Sequence, residues 1–515
     1  MSRLKNFSRN LATSYLQLGV NVVYSLVSIP LILHWLPKAE FGMWAVLLQL
    51  MGYVSLLDLG MTSAASRLLV DQKDERLSGG YGSMVKTAFL VSFAQGLIIL
   101  IVVIFGAPLL AGLMKIPPEY HDTFVFLMRI QGAFTAISFA LRPFGMMVYA
   151  HQRMDLQSYA DMLNLSTQLI LLSLFLADAC GIYSFIYAGA LTFFIGPVFL
   201  SWNCRRLGFL PKAGEWGHVS GKVFKELFNY GKDVFLFNLG GQLQMASQTI
   251  VVSRALGLEA AALWSVGTKT FNLVVPLMCR PNGAALPGLY ELMARGELAR
   301  LKSRFQGVVL LTASLGAFLG VSFALCNHLF VQIWTGGKIV WPPLCDVLLG
   351  LWLFILSMQS THCCFVTVTK RIGAMSYVLF MEGCAFVVLT LLIGSRWGVV
   401  GMIATSILCT LAFSYQYSLR RSREFFQCGI REVACHWVAP SLKLAAVYGL
   451  LAVVVSLLDL GLPAFWRLVI HAAAAGLVGG VLFIRLGFPA EMVREASTHL
   501  PRQAAWVLQR IAQLP

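Results

Sequence analysis

Charge is what this sequence has least of. Only 12% of its 515 residues are charged, against 58% hydrophobic, and mean hydropathy is +0.75. Soluble globular domains carry about 25% charged residues, so that class is excluded and a polytopic all-α membrane protein is implied. Long polar connections are missing too. No segment expected outside the membrane exceeds about ten residues, which excludes the external domain that a membrane glycan polymerase or ligase needs. There is no G-x-x-x-x-G-K-[ST] loop, no H-E-x-x-H, no G-x-S-x-G and no acidic cluster at metal spacing, so a P-loop ATPase, a zincin and a serine hydrolase are excluded. The eleven cysteines are scattered through spans and inner loops, with only Cys180 and Cys345 near the outer edge, so no disulfide framework is expected. His362-Cys363-Cys364 lacks the two-residue spacing of a zinc knuckle. No metal or cofactor is expected. No small-residue cleavage site follows the basic start MSRLKNFSRN, which therefore reads as leading into an uncleaved first helix.

What is present is a series of apolar runs. They fall near 11–36, 41–70, 85–113, 123–150, 156–177, 181–202, 231–256, 261–289, 306–334, 343–369, 373–394, 397–419, 436–458 and 463–488. Each is long enough to cross a bilayer, for which about 20 residues suffice, so about 14 transmembrane helices are expected. Of the 39 Lys and Arg, five lie in external turns (Lys38, Lys115, Arg254, Lys338 and Arg396). Seven lie within spans: Arg67, Arg129, Arg142, Lys269, Arg280, Lys443 and Arg467. The remaining 27 sit on the opposite side, which is then cytoplasmic, with both termini. The net charge of +16 is thus explained by topology and anionic lipid headgroups, and no nucleic acid is expected as partner.

The runs group into an N-lobe at 1–202 and a basic linker at 203–230, then a C-lobe at 231–420, a helix pair at 436–488 and an amphipathic tail at 489–515. Within the linker, Val223, Phe224, Leu227 and Phe228 oppose Lys222, Lys225 and Glu226, which predicts an interfacial helix over 219–230. The lobes repeat. LPKAEFGMWAV from Leu36 echoes LGLEAAALWSV from Leu256, placing Trp44 on Trp264 and Val46 on Val266. Six spans separate the copies, so this is a parallel repeat of two pseudo-symmetric six-helix lobes, with the last two spans an addition.

The stretch from Ala261 to Tyr290 breaks the pattern by carrying Lys269 and Arg280 in an apolar span. A cation at bilayer depth costs about 2.5–3.5 kcal/mol on insertion scales and normally faces a bundle interior or a wet cavity. The two are 11 residues apart, so they share a helix face. Pro276, Pro281 and Pro287 interrupt the same span and predict a kinked, moving wall. Asp58 is expected at a depth similar to that of Arg280, able to pair with it until an anion competes. Arg129 and Arg142 are 13 residues apart, so at most one lines a cavity with Arg280. Asp161 and Glu382 hold related positions in the fifth and eleventh spans, as protonatable coupling groups or as arginine partners.

SRNLATSYLQLGVNVVYSLVSIPLIL, LPKAEFGMWAVLLQLMGYVSLLDLGMTSAASRLL, FKELFNYGKDVFLFNLGGQLQ and LPGLYELMARGELARL resemble the polysaccharide-unit flippases. These belong to the multidrug/oligosaccharidyl-lipid/polysaccharide exporter superfamily. The resemblance implies a protein of the bacterial cytoplasmic membrane that turns undecaprenyl-diphosphate-linked oligosaccharides from the inner to the outer leaflet, for O-antigen or exopolysaccharide assembly. It implies alternating access through a cationic central cavity, with Lys269 and Arg280, then Arg142 or Arg129, at the matching positions. It also implies membrane lipids, glycosyltransferases and a polysaccharide polymerase of the same pathway as partners. The alternatives are a cation-coupled exporter of small amphiphiles on the same fold and, far behind, an enzyme.

Overall fold

The computed structural model describes residues 3–72, 79–151, 153–245, 247–369, 373–457, 461–488 and 510, and every regular element among them is helical. In order these are α1 (Arg3–Trp35), α2 (Lys38–Val54), α3 (Met61–Gln72), α4 (Gly80–Leu113), α5 (Pro118–Ala150), α6 (Met154–Ala177), α7 (Ser184–Thr192), α8 (Ile195–Arg206), α9 (Gly221–Met245) and α10 (Ser247–Leu256). There follow α11 (Leu258–Gly267), α12 (Lys269–Ala294), α13 (Leu298–Trp334), α14 (Pro343–Val368), α15 (Gly373–Thr410), α16 (Gln416–Phe426), α17 (Ile430–Glu432), α18 (Ala439–Leu457), α19 (Ala464–Ala474) and α20 (Gly480–Leu482). π-helical turns join α15 to α16 (Leu411–Tyr415) and α17 to α18 (Val433–Val438).

Twelve stretches among the described residues are long and apolar enough to cross a membrane. They match the expected spans one to six and nine to fourteen. The expected seventh and eighth spans fall on the helix pairs α9–α10 and α11–α12, so twelve of the fourteen expected spans coincide with helices long and apolar enough to cross. The expected interfacial helix is not a separate element, because α9 continues without a break from Gly221 to Met245. The expected amphipathic tail lies outside the described residues, Arg510 excepted.

The chain divides into two compact units, Met1–Ala262 and Leu263–Pro515. The basic linker and the expected seventh span therefore belong to the first unit. There α9 packs on α3 and α4, and α10 packs on α2.

Each unit is built on one long helix pair that crosses through small residues. In the first, a Cβ on Gly96 of α4 would stand 2.4 Å from the Ala136 carbonyl oxygen of α5. In the second, Gly320 of α13 and Gly350 of α14 each stand 2.4 Å, by the same measure, from the other's carbonyl oxygen. Lipid tails are as apolar as leucine, so such helices associate by close backbone packing. These pairs are the third and fourth spans of the two expected lobes, so the repeat in sequence is a repeat in packing. Its tryptophans repeat too. Buried Trp44 stacks on Phe185 with centroids 4.3 Å apart, and buried Trp264 lies 6.2 Å from Trp341.

The additional helix pair docks on α13. Tyr448 of α18 hydrogen-bonds Ser322 at 2.9 Å and stacks on Phe318, and the His471 ring of α19 meets the Leu325 carbonyl at 3.1 Å.

Candidate functional site

The second expected span is broken. After α2 a 3₁₀ turn, Ser55–Asp58, leads into Leu59 at φ 50° and Gly60 at φ 71°, both left-handed. A non-glycine residue seldom holds that conformation unless its surroundings impose it. Here several groups do. The Asp58 carboxylate accepts the Thr62 backbone N–H at 3.2 Å and the Thr62 hydroxyl, which places an anion at the N-terminus of α3. The Gln95 amide of α4 donates to the Asp58 carbonyl at 2.7 Å. Arg142 of α5 donates through Nη1 to Asp58 Oδ1 at 3.1 Å and to the Thr62 hydroxyl at 3.3 Å. Its guanidinium lies over the Phe139 ring, 3.5 Å from the centroid.

Arg142 and Thr62 also line a cavity of about 440 Å³ inside the first unit, bounded by residues of α3, α5, α6 and α8. Asp161 of α6 faces the same cavity. It accepts the Gln157 amide at 2.9 Å and the Gln17 amide of α1 at 2.8 Å. Asn164, one turn on, also lines it, and its Oδ1 is buried with no hydrogen-bond partner among the described residues.

One expectation changes here. The described partner of Asp58 is Arg142 of its own unit, 84 residues away in sequence, where Arg280 was expected. The cavity of this unit carries both signs. Arg142 is balanced by Asp58, whereas among the described residues Asp161 is held by neutral amides. The two fourth-span arginines do part company as their spacing requires. Arg142 lines the cavity, while Arg129 is exposed and donates from Nε to the Ile104 carbonyl at 3.2 Å.

In the second unit, Lys269 and Arg280 lie on α12, which runs unbroken from Lys269 to Ala294 through Pro276 and Pro281. They therefore share one face of one helix. Lys269 is half-buried and Arg280 exposed. The interruption comes before the prolines, at Thr268, rather than at them. At Thr268 the break is pinned from outside. Asn327 donates to the Gly267 carbonyl at 3.1 Å and accepts the Thr270 hydroxyl. It also donates to Asp346 Oδ1 at 2.7 Å, as does the Trp341 indole at 2.6 Å. A Cβ on Gly267 would lie 2.1 Å from the Trp341 ring. The fully buried carboxylate of Asp346 thus organises the start of α12.

Glu382 of α15 is fully buried, and its Oε2 accepts the Ser414 backbone N–H at 3.2 Å inside the π-turn before α16. π-turns leave ladder groups free and recur at functional positions. Glu382 and Asp161 lie in different units.

Asp346, Thr62, Gln17, Gln157 and Asn164 escaped the sequence reading. Only Thr62 left a signal. The run Asp58-Leu-Gly-Met-Thr62 places an acceptor two residues before a glycine turn and four before a hydroxyl, the spacing of a capped helix start.

The sequence profile described as "polysaccharide biosynthesis protein" matches residues 8–293, more than half of the chain. The chain belongs to that family. No curated protein sequence matches it. Solved structures share its fold. The lipid II flippase MurJ in an inward closed conformation superimposes with a TM-score of 0.68 at 12% identity, over 92% of this chain and 98% of that one. An inward-facing multidrug resistance MATE family transporter of the MOP superfamily gives 0.66 at 12%, over 77% and 93%. A MOP superfamily transporter from Pyrococcus furiosus, whose binding pocket is described as of reverse polarity, gives 0.56 at 14%, over 81% and 96%. The family member described here therefore has the MOP-superfamily fold, all-helical and multi-pass.

Proposed function

We propose that this protein is a flippase that moves undecaprenyl-diphosphate-linked oligosaccharides from the inner to the outer leaflet of the bacterial cytoplasmic membrane by alternating access. One observation carries the reading beyond family and fold. Arg142 is fixed by Asp58, Thr62 and Phe139, yet borders a cavity of ligand size. A guanidinium has five N–H donors in a planar fork suited to phosphate oxygens, and the described bonds of Arg142 use one end of that fork. An entering diphosphate competes with Asp58 for the arginine or joins it at the free edge. Lys269 and Arg280 on one face of α12 give two further cations for an anion in transit. Membrane potential favours outward movement of an anion by up to about 2.3 kcal/mol per charge per 100 mV. Asp161 and Glu382 are the carboxylates available for coupling. Glycosyltransferases and a polymerase of the same pathway, with membrane lipid, are the partners of this reading.

Asp161 supports a second reading, a cation-coupled exporter of small amphiphiles, because it is a cavity carboxylate whose described partners are neutral amides, the cavity's Arg142 being paired with Asp58. One reconstitution separates the two. Vesicles containing the protein should expose a fluorescent polyprenyl-diphosphate oligosaccharide to an external lectin, and Arg142→Ala should stop this while the protein stays monodisperse. Transport of a cationic dye with no movement of the lipid-linked sugar would establish the exporter instead.

A further inference from the structure

We propose that the cavity of the first unit is the subsite for a neutral sugar residue of the transported unit, with Asp161 and Asn164 accepting its hydroxyl hydrogens, and that it excludes carboxylated sugars. This rests on the flippase reading and names what the cavity holds.

The size fits. Small-molecule sites occupy about 300–1,000 Å³, and this cavity measures about 440 Å³. Its lining has two characters. Leu141, Met146, Phe193 and Pro197 form apolar walls, while Asp161, Asn164 and Gln157 supply polar ones. Phe193 is held in place by stacking on Phe134, with centroids 5.3 Å apart. A pyranose has the same division, with C–H faces that lie against an aromatic ring and a rim of hydroxyls.

The polar wall is rich in acceptors. A carboxylate has about four lone-pair directions and no donor. Asp161 receives one amide on each oxygen, from Gln157 and Gln17, which orients it and leaves about half of its accepting capacity open. Asn164 Oδ1 is a buried acceptor without a partner among the described residues. A buried acceptor without a donor carries a desolvation cost that a sugar hydroxyl reaching it would relieve. Of the α3 hydroxyls in the lining, Ser66 donates to the Thr62 carbonyl at 2.8 Å and Thr62 to Asp58.

The charge balance sets the specificity. Arg142 is the one Lys or Arg in the lining; Asp58 holds one end of its fork, and on the flippase reading the diphosphate takes the other. A uronic acid would set a second carboxylate against Asp161 with no unspent cation beside it. A neutral hexose meets no such opposition.

The experiment uses the full-length protein in lipid nanodiscs and three short-chain polyprenyl diphosphates: sugar-free, carrying one hexose, and carrying one hexuronic acid. Wild type should bind the hexose compound about tenfold more tightly than the sugar-free one and the hexuronic compound no better than the sugar-free one. Asn164→Ala and Asp161→Asn should each remove most of the hexose gain while changing sugar-free affinity less than twofold, with Asn164→Thr intermediate. Arg142→Ala should weaken all three alike. Thermal unfolding shows which variants are folded. Equal binding of the sugar-free and hexose compounds, or an undiminished hexose gain in folded Asp161 and Asn164 variants, overturns the subsite and leaves the flippase reading standing. Failure of wild type to bind any of the three overturns both.

Discussion

Arg142 Nη1 stands 3.1 Å from Asp58 Oδ1, and the pair joins the fourth span to the break in the second. Its side chains are 29% and 16% exposed, so it lies between a surface pair and a fully buried one. A surface pair contributes about 0–1 kcal/mol, and breaking a buried one costs about 3–5 kcal/mol. Asp58→Asn or Arg142→Gln alone should therefore destabilise by about 1–3 kcal/mol, read as a lower unfolding temperature in detergent. The double variant should regain most of that stability, because neither charge is left alone, but should not regain transport. Wild-type flipping by the double variant would reduce the pair to a structural role.

Arg280 should behave differently. It is exposed on α12, so Arg280→Ala should leave the unfolding temperature unchanged and lower the flipping rate at least tenfold, about 1.4 kcal/mol. Arg280→Lys should retain part of the rate, since a point charge replaces a planar fork. A wild-type rate for Arg280→Ala in vesicles removes it from the anion path.

The glycine contacts make a prediction about stability alone. Gly267→Ala would place a Cβ 2.1 Å from the Trp341 ring. Gly320→Val would place its Cβ 2.4 Å from the Gly350 carbonyl oxygen and force α13 from α14. Each should cost about 1–3 kcal/mol as overpacking, with Gly112→Ala, which meets no atom within 4 Å, as the neutral control. Equal unfolding temperatures for all three would contradict the helix crossings described above.

The charge distribution predicts orientation. Reporter fusions within 203–230 and after Pro515 should read cytoplasmic, and one after Ile116 external. A cytoplasmic reading after Ile116 would shift the register of the first unit by one span.

The spans were legible because apolarity is a local property, and twelve of them lie where the hydropathy puts them. The repeat was legible through Trp44 and Trp264, since each anchors its helix against an aromatic partner. The partner of Asp58 was not legible. It lies 84 residues away, and a charge in a span shows only that it needs a partner. Depth pointed to Arg280, and the path of α5 supplied Arg142 instead. The break at Thr268 was not legible either, because it is set from elsewhere in the chain, by Asn327 of α13, Asp346 of α14 and Trp341 just before α14.

The break in the second span has a consequence for how the protein is made. Asp58 leaves the ribosome well before Arg142, with α3, α4 and most of α5 emerging between them. Until α5 arrives, the carboxylate must enter the membrane without its counter-charge. An unpaired aspartate at the centre of a helix adds about 2.5–3.5 kcal/mol to insertion. The turn at Ser55–Gly60 lowers that demand by letting α2 cross as a short apolar helix of its own. Asp58 and α3 can then wait at the bilayer surface and settle when the arginine is delivered. The order of residues along the chain thus sets an order of assembly, in which the fourth span completes the second.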